Sequence, residues 1–270
     1  MSAATATTQR TATTGRTTTA GGRLAALGRA ELTLLLRSKG MLVTALAIPL
    51  ALPFTVKSTL KEDMLKDAGV TVATTMLTAA VGFSLLFAVY ANLVNVFVAR
   101  REELVLKRLR TGELQDREIL AGAALPASLI GLVQCVVVAA GCMALVGLGA
   151  PKAVHLAVLG VLLGIVLMAA LAAVTAAFSR NAESAQVTSL PLMFLSMLGS
   201  GIAVPLEIFP DKVASVLELL PLSPVIRLVR GGWTGELSAY EALGATATAV
   251  AWVVLAVFAV QRWFRWEPRR

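Results

Sequence analysis

Residues 153–179 read AVHLAVLGVLLGIVLMAALAAVTAAFS, a run of 27 residues without a single Lys, Arg, Asp or Glu. An α-helix needs about 20 mostly apolar residues to cross the hydrocarbon core of a bilayer. Soluble globular proteins are about 45–50% apolar and about 25% charged, whereas this chain is 57% hydrophobic and 15% charged. The run therefore predicts a membrane-spanning helix, and the composition excludes a soluble globular protein and extensive disorder.

Five further apolar stretches on either side of this run are also long enough to predict spans. Their approximate bounds are 40–57, 70–99, 119–149, 184–206 and 242–262. The first of them is short, because only 17 uncharged residues separate Lys39 from Lys57. Together with 153–179 they predict an all-α, polytopic membrane protein with six transmembrane helices over residues 40–265.

The distribution of positive charge predicts the orientation of the spans. The chain has 24 Lys and Arg residues and a formal net charge of +8. With the N-terminus inside, the inner segments 1–39, 100–118, 180–183 and 262–270 hold 17 of these cations, and the outer segments hold 7. Cytoplasmic loops carry an excess of Lys and Arg. The charges therefore predict that both termini lie inside.

The two ends of the chain differ from the spans in composition. Residues 1–22 are Thr-rich and predict a disordered cytoplasmic tail, and residues 266–270 form a short cytoplasmic C-terminus. Residues 23–39 place leucines on one face of a helix and cations that include Arg29, Arg37 and Lys39 elsewhere. This pattern is typical of an amphipathic helix in the membrane interface. The alternative is that it extends the first span.

The sequence lacks the motifs of several common catalytic and binding sites. It contains no G-x-x-x-x-G-K-[ST] phosphate loop, no H-E-x-x-H and no C-x-x-C. Cys135 and Cys142 lie in one apolar run and predict buried thiols, and His155 is the only histidine. The predicted spans contain no acidic residue of the kind that ion-coupled carriers use. We therefore predict no catalytic residue, no metal site and no cofactor in this chain, and an energy source outside it.

A few polar residues and small residues interrupt the spans. Asn92 and Asn95 share one helix face, and Gln134 lies in the next span. These amides could bond neighbouring helices or contact a substrate. Gly160 and Gly164 form a G-x-x-x-G pair, which predicts close helix packing.

The segment 100–118, RREELVLKRLRTGELQDRE, carries six basic and five acidic residues on the predicted inner side. Leucines and a valine interrupt the charges, and Thr111-Gly112 marks the end of a short helix. A charge-mixed amphipathic helix at the membrane predicts a docking surface for a cytoplasmic partner. The alternative is a solvated loop with membrane anchors.

Residues 207–241 form the longest predicted loop between two spans, and it is too apolar for a water-exposed one. It contains Phe209-Pro210 and two further prolines, Pro221 and Pro224. Helices too short to span, in an apolar segment, predict a re-entrant or interfacial hairpin in the outer leaflet.

At these two segments the sequence resembles the membrane subunits of type-2 ABC exporters, in particular bacterial drug-resistance permeases of the daunorubicin type. Arg101-Glu102 matches the family's Arg-Glu pair after the second span. Lys107, Leu109 and Thr111 match residues at the corresponding positions of the family's coupling helix. Leu104-Val105 stand where many members have Gly-Thr, and Gly112 stands where Pro is common.

A second match follows the fifth span, and the resemblance covers about residues 23–265. It implies an outer re-entrant gate formed by Gly201, Pro205, Phe209, Pro210, Pro221 and Pro224. It also implies a coupling helix that docks on a separate ATPase subunit through charged and apolar side chains. Those side chains are Arg101, Glu102, Glu103, Lys107, Arg108, Leu109 and Arg110.

The resemblance further implies a function and its partners. The chain would be one half of a permease dimer, most simply a homodimer, in a bacterial cytoplasmic membrane. Two ATPase subunits would bind ATP and Mg²⁺, and the substrate would be a hydrophobic or amphipathic drug, antibiotic or lipid. No nucleic acid is implied. The rival functions are a non-transporting membrane anchor or immunity protein and a membrane-embedded lipid-modifying enzyme.

Overall fold

The computed structural model describes residues 71–110, 115–204, 206–264 and 266, together with the single positions Gly22 and Thr33. Several predictions fall on residues outside this set. They are the tail before Gly22, most of the interfacial helix including Arg29, Arg37 and Lys39, the first span at 40–57, the helix end at Thr111-Gly112, Pro205, and the last four residues.

Helices make up 83% of the described residues, and these residues contain no strand. They are α1 (Val72–Glu102), α2 (Val105–Arg110), α3 (Asp116–Leu145), α4 (Val154–Phe178), α5 (Ala182–Gly199), a 3-10 turn (Leu206–Ile208), α6 (Asp211–Leu217), α7 (Ser223–Thr234) and α8 (Ala239–Trp263). The predicted all-α class is confirmed.

Four of these helices are long and apolar enough to cross a membrane: α1, α3, α4 and α8. They overlap the predicted second, third, fourth and sixth spans, with ends that differ from the predicted bounds by one to four residues. The predicted fifth span corresponds to α5, which ends at Gly199 rather than at 206 and carries Glu183 and Gln186 near its start. α5 is therefore shorter and more polar than the other four.

Side chains at the helix starts satisfy the first backbone N–H groups, which lack partners within the helix. Gln115 and Glu118 form a reciprocal capping box before α3, and Ser238 and Glu241 form one before α8. The side chain of Asn181 accepts a hydrogen bond from the Ser184 N–H at the start of α5. These caps explain why the helices begin where they do.

α1 lies at the centre of the described core, with Leu77, Leu85 and Leu93 fully buried along its length. Its middle, Ser84–Ala91, is a π-helix, a rare geometry with wider turns. The π segment brings Tyr90 to α4, where its hydroxyl and that of Thr175 share a hydrogen bond of 3.0 Å. The hydroxyls thereby satisfy each other inside an apolar core.

α4 packs closely against α7 through the predicted small residues. A Cβ placed on Gly160 would lie 3.0 Å from the Cβ of Leu228, and one on Gly164 would lie 2.7 Å from a methyl of Leu85 on α1. Close packing at the G-x-x-x-G pair is confirmed. Cys135 and Cys142 are free and buried, as predicted.

The described helices alternate in direction, so that the described residues of 100–118, 179–183 and 262–266 lie at one end of the bundle. At one end, Arg101 contacts the residues after α4, and Arg110 pairs with Asp116 at the start of α3. At the other end, the Ala153 N–H donates to the carbonyl of Gly232 at 2.8 Å. The first end carries the basic segments, and the second carries the α6–α7 hairpin.

Candidate functional site

The segment predicted as a docking helix forms a tight turn followed by α2. After α1 ends at Glu102, Leu104 adopts a left-handed backbone conformation with φ of 60°. The Leu104 N–H donates to the Arg101 carbonyl at 3.1 Å. This turn redirects the chain, so that the six-residue α2 begins as a separate helix at Val105.

α2 is amphipathic, as its sequence predicts. Leu106 is fully buried, Leu109 is half-buried, and Arg108 and Arg110 are exposed. Glu102 and Glu103, in the preceding turn, are exposed as well. Lys107 belongs to the same helix. The apolar side chains therefore hold α2 against the bundle, while the guanidinium groups of Arg108 and Arg110 remain exposed after the exposed carboxylates of Glu102 and Glu103.

Arg101 stands apart from this exposed surface because its side chain is completely buried. Its Nη1 donates to the Ala176 carbonyl at 2.8 Å, and its Nη2 donates to the Ser179 carbonyl at 2.6 Å and to the Arg180 carbonyl at 3.2 Å. These carbonyls lie at and after the last turn of α4. In this position Arg101 ties α1 to α4 and has no surface with which to meet a partner.

The chemistry of the Arg101 contact explains why a buried cation is stable there. The last four carbonyls of a helix have no partner within the helix, and that end carries a partial negative charge. A guanidinium is a planar, permanently charged donor that can satisfy several carbonyls together. Arg101 therefore donates hydrogen bonds to carbonyl groups at the end of α4 that would otherwise be buried without a partner.

The other end of α2 is held by Arg110. Its Nε lies 3.1 Å from an Asp116 carboxylate oxygen, and its guanidinium lies 5.1 Å from the ring centroid of Trp266. Trp266 contacts Phe264, which in turn packs edge-on against Phe97 of α1. α2 is thus connected to α3 and to the chain that follows α8.

At the opposite end of the bundle, two polar side chains hold the α6–α7 hairpin. The Ser223 hydroxyl is 2.6 Å from the Leu217 carbonyl and 3.1 Å from the Gly199 carbonyl. Arg227 pairs with Glu218 at 3.2 Å and with Glu241 at 2.9 Å. Arg227 therefore links the end of α6 to the start of α8.

The predicted gate residues lie around this hairpin. Gly201 has φ of +74°, a left-handed conformation that glycine adopts without strain. Phe209 is half-buried, and Pro210 is exposed and precedes α6. Pro221 and Pro224 are buried at the start of α7.

A polar cavity of about 240 Å³ opens beside the hairpin. Arg227 and Glu241 line it, together with hydroxyl groups from the start of α1, the end of α5 and the start of α7. Those hydroxyl residues are Thr75, Thr78, Ser200 and Ser223.

The predicted polar residues of the spans differ in their surroundings. The Asn92 and Asn95 amides donate to carbonyls of their own helix, those of Ala88 at 3.5 Å and Ala91 at 3.1 Å. Gln134 is fully buried in α3. Among the residues that the structure describes, no group of three or more His, Cys, Asp or Glu side chains could hold a metal ion.

The sequence model of the ABC-2 type transporter family matches residues 23–233. The chain belongs to the ABC-2 type transporter family. The match includes α1 to α6 and nearly all of α7, and with them both α2 and the α6–α7 hairpin. No curated protein matches the sequence. This ABC-2 type transporter chain is therefore a multi-pass membrane component of an ABC transporter, a class of permease that works with an ATP-hydrolysing partner.

Proposed function

We propose that the chain is the transmembrane subunit of an ATP-driven exporter, and that α2 with its preceding turn is the surface on which a separate ATPase subunit docks. The observation that carries this proposal is the arrangement of α2 in a member of the ABC-2 type transporter family. Its apolar face is buried, its charged face is exposed, and both of its ends are attached to membrane-spanning helices.

The proposed coupling follows from these contacts. Glu102, Glu103, Arg108 and Arg110 present both signs of charge to the cytoplasm, which suits a polar, charge-complementary interface. A movement of the ATPase subunits against α2 would pass to α3 through Arg110. It would also pass through the turn at Leu104 to the end of α1, and from there to α4 through Arg101. The predicted interfacial helix with Arg29, Arg37 and Lys39 is a second surface for the same partner.

The complete transporter would contain two copies of this chain and two ATPase subunits, which bind ATP and Mg²⁺. The substrate would be a hydrophobic or amphipathic drug, antibiotic or lipid, moved outward across a bacterial cytoplasmic membrane. The composition of the described helices α1, α3 and α4 supports an apolar substrate. Their acidic residues occur only in the terminal turns, so their middle parts offer no carboxylate to a charged substrate. The α6–α7 hairpin, with its Arg227 ion pairs, would form the outer gate.

The experiment is reconstitution of the chain with a candidate ABC ATPase subunit from the same organism. We expect co-purification of the two subunits and ATP hydrolysis that the substrate stimulates. Glu102→Ala should weaken docking and uncouple hydrolysis from export, because it removes an exposed carboxylate next to α2. Glu183→Ala is the matched control, since Glu183 is an exposed carboxylate at the same end of the bundle but outside α2.

Two results would contradict the proposal. Normal export by the Glu102→Ala and Glu103→Ala variants would show that the carboxylates before α2 are not needed for docking. A chain that neither binds an ATPase subunit nor moves a substrate would fit the membrane anchor or immunity protein instead.

A further inference from the structure

A large cleft lies at the basic end of the bundle, beside the contacts that Arg110 makes with Asp116 and Trp266. It has a volume of about 490 Å³ and lies between α1, α3, α4 and α8. This volume is within the range of cavities that hold small molecules, about 300–1,000 Å³. The cleft is open because its walls on α3 and α4 consist largely of alanines, including Ala121, Ala124, Ala170 and Ala173.

The cleft has a polar mouth and an apolar interior. Asp116, Arg117 and Gln261 line the mouth, and Trp266 lies beside them. The interior extends along α3 to Ala124, about 10 Å deeper at the rise of an α-helix. A molecule that fits both regions has a polar head and a narrow apolar tail.

The cleft also continues into the side of the bundle that would face lipid. Ala121 is exposed, and Leu125 and Leu129 follow it at intervals of four residues as exposed side chains on the same face of α3. On α8, Val254 and Phe258 are exposed next to the lining residue Val257. An apolar tail could therefore enter sideways from a bilayer leaflet.

The charges at the mouth favour an anionic head. Among the described residues, Asp116 and Arg117 are the charged side chains that line the cleft. Arg110, which does not line it, pairs with Asp116, and Arg117 is the cation that can meet an anionic head. Basic pockets between membrane helices on the cytoplasmic side bind anionic lipid headgroups. Trp266 has the amphipathic ring that is enriched at the membrane–water boundary.

We infer that this cleft binds an anionic phospholipid of the inner leaflet, with an acyl chain against the alanine walls and its phosphate at Arg117. The leaflet assignment rests on the orientation in the proposed function. The bound lipid would lie beside Asp116, which pairs with Arg110 of α2, and would fill a space between helices that the coupling movement must shift.

The test is lipid binding to the purified full-length chain without any ATPase subunit, measured by native mass spectrometry with added phosphatidylglycerol or phosphatidylcholine. We expect the wild type to retain phosphatidylglycerol in preference to phosphatidylcholine. Arg117→Gln should lower phosphatidylglycerol binding about fivefold, the effect of one cation near an anionic lipid. Arg262→Gln is the matched control, because Arg262 is an exposed cation at the same end that does not line the cleft.

A second pair of variants tests the apolar part of the cleft. Ala121→Leu fills the cleft from an exposed position and should lower the binding of both lipids. Ala251→Leu makes the same change at an exposed position of α8 outside the cleft and should leave binding unchanged. If Arg117→Gln and Ala121→Leu bind lipid like their controls, the inference is wrong and the cleft is not a phospholipid site.

The outcome is separate from that of the proposed function. Glu102→Ala should bind phosphatidylglycerol as the wild type does, because Glu102 does not line the cleft. A variant that loses export but still binds lipid would identify a residue needed for docking and not for the cleft. A variant that loses lipid selectivity but still binds the ATPase subunit would identify a residue needed for the cleft and not for docking.

Discussion

The Nη2 atom of Arg101 lies 2.6 Å from the carbonyl oxygen of Ser179, so that the last turn of α1 is tied to the end of α4. The two residues are 78 positions apart in the chain. Their contact fixes the direction in which the chain leaves α1 and therefore where α2 lies.

Replacement of Arg101 should destabilise the whole bundle. Arg101→Ala removes hydrogen bonds from a charged donor, each worth about 1.5–3 kcal/mol, and leaves buried carbonyls without a partner. We expect a clear loss of thermal stability and of monodisperse protein in detergent. Arg101→Lys should be intermediate, because an ammonium group lacks the planar fork of a guanidinium.

Arg262→Ala is the control for Arg101, because it removes an exposed arginine at the same end of the bundle. Equal stability of Arg101→Ala and Arg262→Ala would show that the contact between α1 and α4 contributes little.

Leu104 should be a site at which glycine stabilises the protein. A left-handed conformation costs a residue with a side chain about 1–2 kcal/mol, and Leu104 has φ of 60°. Leu104→Gly removes that cost, although glycine loses more entropy on folding. We expect a net gain of roughly 0.5–1 kcal/mol, measured as a higher unfolding temperature.

Leu104→Ala is the comparison, since it shortens the same exposed side chain without relieving the backbone. A Leu104→Gly protein less stable than Leu104→Ala would mean that the turn is not strained in solution.

A side chain at Gly164 should destabilise the bundle. A Cβ there would lie 2.7 Å from Leu85 and 2.8 Å from Val225, so Gly164→Ala overpacks the contact of α4 with α1 and α7. Overpacking typically costs about 1–3 kcal/mol. Thermal unfolding should show this loss, and Gly164→Leu should reduce the yield of folded protein further.

Gly141 provides the matched control for Gly164, because it lies in α3 with nothing within 4 Å of the added Cβ. Gly141→Ala should be neutral or slightly stabilising, since alanine favours a helix over glycine. Similar effects of the two substitutions would contradict the packing at Gly164.

Arg227→Gln should loosen the α6–α7 hairpin with little effect on the rest of the fold. The ion pairs of Arg227 with Glu218 and Glu241 are partly exposed, and each such pair contributes about 0.2–1 kcal/mol. Hydrogen exchange of the backbone should therefore increase in α6 and at the start of α8.

Salt offers an independent check on Arg227, because ions screen exposed pairs. The difference between Arg227→Gln and wild type should shrink as salt is raised, and Glu241→Gln should add less than its full effect to Arg227→Gln. Fully additive effects at all salt concentrations would exclude a direct ion pair.

Local patterns in the sequence were sufficient to predict the long helices and α2. An apolar run of span length and a short stretch that alternates leucines with charges each depend on neighbouring residues alone. The G-x-x-x-G pair likewise predicted close packing, although the sequence did not indicate α7 and α1 as the partners of α4.

The different roles of Arg100 and Arg101 could not be predicted from such local patterns. The two arginines are adjacent at the end of the same apolar run, and either could anchor a span at the membrane surface. Only the meeting of α1 with the end of α4 distinguishes Arg101, which is fully buried, from Arg100, which is half-buried. The bond of Tyr90 with Thr175, 85 positions away, was missed for the same reason.

The attachment of α2 at both ends has a mechanical consequence. A short helix fixed at one end acts as a lever and bends the single helix to which it is joined. The first end of α2 continues from the turn after Arg101, which ties α1 to α4, and its last residue, Arg110, is bound to α3 and Trp266. A load applied to it is thus shared among several membrane-spanning helices, which favours their displacement as one rigid unit.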